Sequence, residues 1–170
     1  SAPIFTNRHQ FSRTAFVVLC SFFLYYLIYL FLPVAGPQYY FHAVGEGVIQ
    51  SGHFPHLGDY FRYHTELAVS PGPDGFFRNL VESTQQSGER PTAAFPSSHV
   101  GMSTVLMILL WHNRRYLFWG AFPFYIFLCC ATVYIQAHYL VDVFGGLVTA
   151  VIFYHLTNCI YDKWRTHRMV

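Results

Sequence analysis

Residues 116–160, YLFWGAFPFYIFLCCATVYIQAHYLVDVFGGLVTAVIFYHLTNCI, run from Tyr116 to Ile160 with one carboxylate, Asp142, and neither lysine nor arginine. A helix needs about 20 apolar residues to cross roughly 30 Å of hydrocarbon. The stretch therefore holds two such helices back to back, Tyr116 to Ala137 and Tyr139 to Ile160, broken at His138. Working outward, Thr14 to Val34 is a further segment of spanning length, and Ser98 to Asn113 is a shorter one expected to lie partly against protein. The last three segments are joined by tiny connections, which makes them neighbouring antiparallel helices. The expected fold is all-α, an integral membrane helical bundle forming one domain over residues 1–170, with four transmembrane helices and a long outer loop over about 36–97.

Composition points the same way. Of the 170 residues, 54% are hydrophobic, 20% aromatic and 11% charged, whereas soluble domains carry roughly 25% charged residues. A net charge of +2, with no basic stripe, speaks against nucleic acid as a partner. Cys20, Cys129, Cys130 and Cys159 all lie inside apolar runs, with neither zinc spacing nor a disulfide framework. Arg8, His9 and Arg13 precede the first run as the n-region of a signal peptide would, but that run is long enough to span and no cleavage site ends it. It is read as a retained helix. The opening Ser-Ala-Pro, without an initiator methionine, reads as a processed, tagged or truncated start.

Inside the outer loop, Pro71-Gly72-Pro73 marks a turn, Asp74 is a good N-cap, and Phe76, Phe77, Leu80 and Val81 share one helical face before Gly88. This predicts an interfacial amphipathic helix. Orientation follows from basic residues beside the spans: Arg8 and Arg13, Arg114 and Arg115, and Lys163, Arg165 and Arg168. With four crossings all three groups fall on one side, which the positive-inside rule makes cytoplasmic, so the long loop faces outward. Phe22, Phe23, Tyr25, Tyr26, Tyr29 and Phe31 read as lipid-facing or helix-packing surface, and Tyr39, Tyr40 and Phe41 as interfacial anchors, with substrate contact as the alternative.

Two short stretches put ionisable groups at the mouths of apolar segments, where such groups are costly. They are Arg90-Pro91-Thr-Ala-Ala-Phe-Pro96-Ser97-Ser98-His99 and His138-Tyr-Leu-Val-Asp142. The topology brings the starts of both helices to the same surface. Asp142 lies about one helical turn after His138, so the two side chains share a face. A carboxylate accepting the Nδ1 proton would fix the imidazole tautomer and leave Nε2 as a nucleophile. His138 is thus the candidate nucleophile and Asp142 its orienter, with a purely structural pair as the competing reading. Ser97 and Ser98 open a helix whose unpaired N–H groups attract phosphate. His99 can protonate a leaving alcohol there, and the planar fork of Arg90 can bind two phosphate oxygens, although an arginine near lipid headgroups is the alternative. His53, His56 and His64 make a weak metal pattern, and no metal or cofactor is expected.

In their order and placement these residues resemble the type 2 phosphatidic acid phosphatase (PAP2) superfamily, which carries a motif ending Arg-Pro, a Pro-Ser-Gly-His motif, and one ending His-x-x-x-Asp. The counterparts are Arg90-Pro91, Pro96-Ser97-Ser98-His99, and His138 with Asp142. The resemblance implies an all-helical bundle, a phosphohistidine on His138, His99 as acid and then base, and no metal requirement. It also implies that the chain looks like the last four of six spans. Two cations of the family pattern are missing: Ser83 stands where a lysine is expected, and Thr132, after Ala131, where an arginine is expected. Losing a charge-assisted bond to a transferred phosphoryl costs on the order of a few kcal/mol. Arg78, Arg62 or loop histidines are candidates to compensate. The leading expectation is a lipid phosphate phosphatase acting at the outer membrane face on a phosphorylated lipid. The alternatives are a phosphotransferase like inositol phosphorylceramide synthase, whose weaker cation pattern resembles this one, and a non-catalytic lipid-binding relative.

Overall fold

A computed structural model describes residues 8–64, 75, 83 and 91–168. Seven helices follow in order: α1 (Arg8–Phe31), α2 (Pro37–Val44), α3 (Glu46–Gln50), α4 (Tyr60–Tyr63), α5 (Ser98–Asn113), α6 (Arg115–Tyr134) and α7 (Leu140–Arg168), counted among the described residues. Among the described residues the fold is all-α, with one isolated bridge, between Val34 and Ala93. The interfacial helix expected from Asp74 to Gly88 lies outside the described residues apart from Gly75 and Ser83. Short helices α2, α3 and α4 occupy part of the outer loop instead of irregular chain.

Among the described residues three helices, α1, α6 and α7, are long and apolar enough to cross a membrane. The second expected span has the expected bounds, Ser98–Asn113, but its 16 residues cover only about 24 Å. It is the central packed helix of the bundle: Val100, Val105, Met107 and Leu109 are buried on it, and α1, α6 and α7 all pack against it. Val17 of α1, Val105 and Leu109 of α5 and Ala150 of α7 form the core cluster. By contrast α6 buries only Thr132, leaving Trp119, Phe124 and Phe127 exposed, as a helix facing lipid does.

Close approach of α1, α5 and α7 depends on small residues. A Cβ on Gly101 would sit 1.8 Å from the Tyr25 hydroxyl, and one on Gly146 would sit 2.6 Å from the Ser97 carbonyl oxygen. Small residues at such crossings let helix backbones meet without a hydrophobic drive between them. Tyr25 uses the space: it is fully buried and donates to Gly146 O at 3.2 Å, with Thr149 Oγ1 at 2.9 Å. Of the two expected places, lipid-facing or helix-packing surface, Tyr25 takes the second.

The helix ends sort chemically. Arg8 and Arg13, Arg114 and Arg115, and Lys163 and Arg165 lie at one end of the bundle, where Gln10 donates to Asn113 at 2.6 Å and Arg13 meets Asn158 at 2.7 Å and Asp162 at 3.2 Å. At the opposite end three connecting segments are knitted through backbone. Gly36 N–H donates to Pro91 O at 3.0 Å, Ala94 N–H to Val34 O at 3.0 Å, Gln38 N–H to Gln136 O at 3.0 Å and Ser97 N–H to Asp142 O at 3.0 Å. Here α1 stops at Phe31, before Leu32-Pro33, because proline disfavours helix in the residue before it. α6 stops at Tyr134, short of the expected Ala137, where Gln136 turns the chain with φ 59°.

Candidate active site

The knitted end brings the two histidine stretches together. After the turn at Gln136, His138 N–H donates to Thr132 O at 3.1 Å, which anchors the residue beneath the end of α6. Its ring is 5% exposed. Nδ1 donates to the carbonyl oxygen of Ala94 at 2.9 Å, so a neutral ring carries its proton there and leaves the Nε2 lone pair available. Nε2 faces Nδ1 of His99 at 3.3 Å, with ring centroids 5.6 Å apart. Thirty-nine positions apart in the chain, the two imidazoles form one unit. His138 is buried and His99 is exposed at the mouth.

Asp142 is 1% exposed, but its expected contact differs. Its Oδ2 accepts the Tyr139 N–H at 2.7 Å and stands 3.8 Å from His138 Nδ1, beyond hydrogen-bond length. The first bond has the form of a reciprocal helix-start contact, a third-position carboxylate reaching back to the residue before the helix. The Ala94 carbonyl therefore orients the imidazole, and Asp142 supplies a negative charge beside it. Burial first, then the Asp142 carboxylate and Tyr40, push the neighbouring Tyr139 phenol up to about 12.

At the other histidine, Ser97 is fully buried, and its Oγ caps α5 by accepting from Val100 N–H at 3.3 Å. Ser98 lines the cavity described below, but its N–H already donates to Tyr29 Oη at 3.0 Å, and Tyr29 in turn donates to Pro96 O at 2.8 Å. The helix start was expected to offer unpaired amides; two of its donors are instead taken by Ser97 and Tyr29. Arg90 lies outside the described residues, as does Arg78. Thr132 is buried and donates its hydroxyl to Cys129 O at 3.0 Å, while Ser83 is exposed.

Both imidazoles line a cavity of about 830 Å³, with Thr92, Ala93, Ala94, Gln38 and Tyr39 at the same end. Tyr39, expected as an interfacial anchor, is 6% exposed, and Tyr29, expected on a lipid-facing or helix-packing surface, reaches the turn that carries His99. Sequence reasoning held a substrate-contact place for Tyr39 only as the alternative and missed the contact of Tyr29, because hydropathy does not say which face of a helix turns inward. Among the described residues no three His, Cys, Asp or Glu side chains gather as metal ligands would; His56 Nδ1 accepts Gly58 N–H at 3.1 Å and His64 stacks on Tyr60.

A buried imidazole whose unprotonated Nε2 meets a second imidazole, with a carboxylate nearby, is gathered at one end of the bundle. A profile of the PAP2 superfamily matches residues 3–156. The chain belongs to that superfamily. Among curated proteins, it is similar to the inositol phosphorylceramide synthase catalytic subunit aur1 of Schizosaccharomyces pombe, 37% identical over a segment that makes up 35% of this chain and 14% of that protein. The match thus spans about one seventh of the relative's length. No solved structure matches the chain.

Proposed function

We propose that this PAP2 member is a membrane enzyme that cleaves the phosphate ester of a lipid through a phosphohistidine on His138. The observation that carries the reading is the contact between His138 Nε2 and His99 Nδ1, 3.3 Å apart, inside a cavity large enough for much more than a phosphoryl group. Nε2 attacks phosphorus as the lipid P–O bond breaks, and His99 gives its proton to the departing alkoxide. His99 then takes a proton from water, whose oxygen attacks phosphorus and releases His138. Because phosphorus in line with Nε2 needs the place that His99 Nδ1 holds, substrate must part the two rings and turn His99 toward the leaving oxygen. Arg90, two residues before the cavity-lining Thr92, is the proposed anion clamp. Ser98 borders the phosphate, while Ser97 contributes by holding the helix start.

The reading includes four crossings, with α5 as the short one, and an outward-facing site. Its support is that the basic helix-end residues lie at the opposite end from the histidines, the end that faces the cytoplasm under the positive-inside rule. A second reading is transfer of a phosphorylated headgroup to a lipid alcohol, which the similarity to the synthase subunit favours. The same phosphohistidine serves both, and the acceptor decides.

Purified protein incubated with radiolabelled phosphatidic acid, and separately with a labelled headgroup donor with and without an acceptor lipid, distinguishes them. Phosphate release without acceptor is the expected result, together with acid-labile label on the protein. Acceptor-dependent product would favour transfer. Turnover that survives His138→Ala refutes both.

A further inference from the structure

Among the described residues the wall of the cavity carries no lysine, arginine or carboxylate. An anion brought to His138 Nε2 meets neutral donors there. Two of them, Gln38 and Thr92, belong to connecting segments whose position is fixed by backbone. Gly36 N–H donates to the carbonyl of Pro91, next to Thr92, and Gln38 N–H donates to the carbonyl of Gln136, two residues before His138. A Cβ on Gly36 would lie 3.1 Å from the Ala137 carbonyl oxygen, so the start of α2 rests against the residue that precedes the nucleophile. Ala94, two residues after Thr92, holds the His138 ring through its own carbonyl. Gln38 and Thr92 therefore hang from the frame that fixes His138.

The first-turn amides of α2 are already engaged: Tyr39 and Tyr40 N–H both donate to Gly36 O, and Gln38 N–H to Gln136 O. What α2 offers an anion is the side chain of Gln38. Thr92 differs from the threonines of the bundle helices. Thr104, Thr132, Thr149 and Thr157 donate to carbonyls about one turn back, which a helix supplies and the turn at Thr92 does not. Among the described residues the Thr92 hydroxyl has no hydrogen-bond partner.

We propose that Gln38 and Thr92 bind the phosphoryl group: the Gln38 side-chain amide and the Thr92 hydroxyl donate to its non-bridging oxygens while His138 Nε2 attacks phosphorus. The inference rests on the phosphohistidine reading above and adds a hold on the anion, in place of the two cations whose positions Ser83 and Thr132 occupy. Thr132 itself is buried with its hydroxyl on Cys129 O. A glutamine presents two N–H donors and a threonine one, and neutral donors hold an anion less strongly than charged ones. Such a site gains from a cation placed at Gln38 and loses from a carboxylate there. A purely structural glutamine does not follow that order.

The test uses the full chain in a phosphate-free detergent with inorganic phosphate as the probe. Its dissociation constant is read from phosphorus NMR line broadening, and thermal melting checks the fold. Gln38→Leu and Thr92→Val, which keep the volume and remove the donors, are expected to weaken binding about five- to tenfold each. Gln38→Lys is expected to tighten it by at least about fivefold, and Gln38→Glu to weaken it beyond Gln38→Leu. With labelled phosphatidic acid at subsaturating concentration, the rate of phosphoenzyme capture follows the same order. Affinities of Gln38→Leu and Thr92→Val within about twofold of the parent overturn the proposal, as does a parent that binds no phosphate. So does a Gln38→Lys protein that binds no tighter than Gln38→Glu, an arm that decides the matter even where the apolar variants melt early. The expected order in a protein that forms no phosphohistidine leaves this cradle standing and refutes the chemistry proposed for His138. Phosphohistidine formed by a chain whose four variants all bind phosphate alike refutes the cradle alone.

Discussion

Replacing Asp142 with asparagine separates its charge from its hydrogen bond. The amide oxygen can still accept the Tyr139 N–H, now bonded at 2.7 Å, so the start of α7 is kept. What disappears is a negative charge 3.8 Å from His138 Nδ1. When Nε2 bonds to phosphorus while Nδ1 keeps its proton, the ring becomes positive. At an effective dielectric constant of about 20 the attraction across that distance is about 4 kcal/mol. Some of it is already present in the resting ring as a charge–dipole contact, so the part specific to the transition state is smaller. With 1.36 kcal/mol per decade, phosphoenzyme formation is expected to slow by a factor of roughly 10²–10³. Rapid-quench capture of labelled phosphohistidine measures that step directly, and melting in detergent checks the fold. Asp142→Ala, which also loses the bond to Tyr139, is expected to lower stability by about 1 kcal/mol as well. Phosphoenzyme formation in Asp142→Asn within about fivefold of the parent, where about 1 kcal/mol would be missing, would refute the electrostatic role and leave Asp142 as a helix-start residue.

Tyr29→Phe removes the hydroxyl that joins Ser98 N–H to Pro96 O, leaving a partly buried amide unpaired at a cost of about 1–3 kcal/mol. The expected result is a lower melting temperature and a fall in kcat larger than any rise in KM, because the loosened turn carries His99; an unchanged kcat would refute a positioning role. Gly101→Ala drives a Cβ to 1.8 Å from the Tyr25 hydroxyl, and overpacking of this kind costs about 1–3 kcal/mol or more. Adding Tyr25→Leu should restore part of the lost stability, read by thermal melting of the single and double variants. A double variant less stable than Gly101→Ala would count against the steric account.

How much was legible varies by residue. Ser98–Asn113 appears with its expected bounds because Ser97 is a strong cap and Arg114 follows at once. α7 runs on to Arg168, beyond the expected Ile160, since leaving hydrocarbon does not end a helix whose next residues still favour it. The pairing of His99 with His138 was foreseeable from topology, as both open helices at the same end. The acceptor for His138 was not: Ala94 acts through its backbone carbonyl, which has no side-chain signature.

The chain's apolar runs and their basic flanks by themselves determined a helical, membrane-compatible bundle and sorted its ends, because hydrocarbon length and backbone satisfaction leave few alternatives. The motif residues pointed to the superfamily. Only the tertiary structure decided which neighbours each of them has. It turned Tyr25 and Tyr29 inward, gave the Nδ1 proton of His138 to Ala94 and left Asp142 as a nearby charge. The physical reason is that a membrane helix looks apolar on every face, so its packing partners follow from small residues and hydrogen bonds between distant segments rather than from hydropathy.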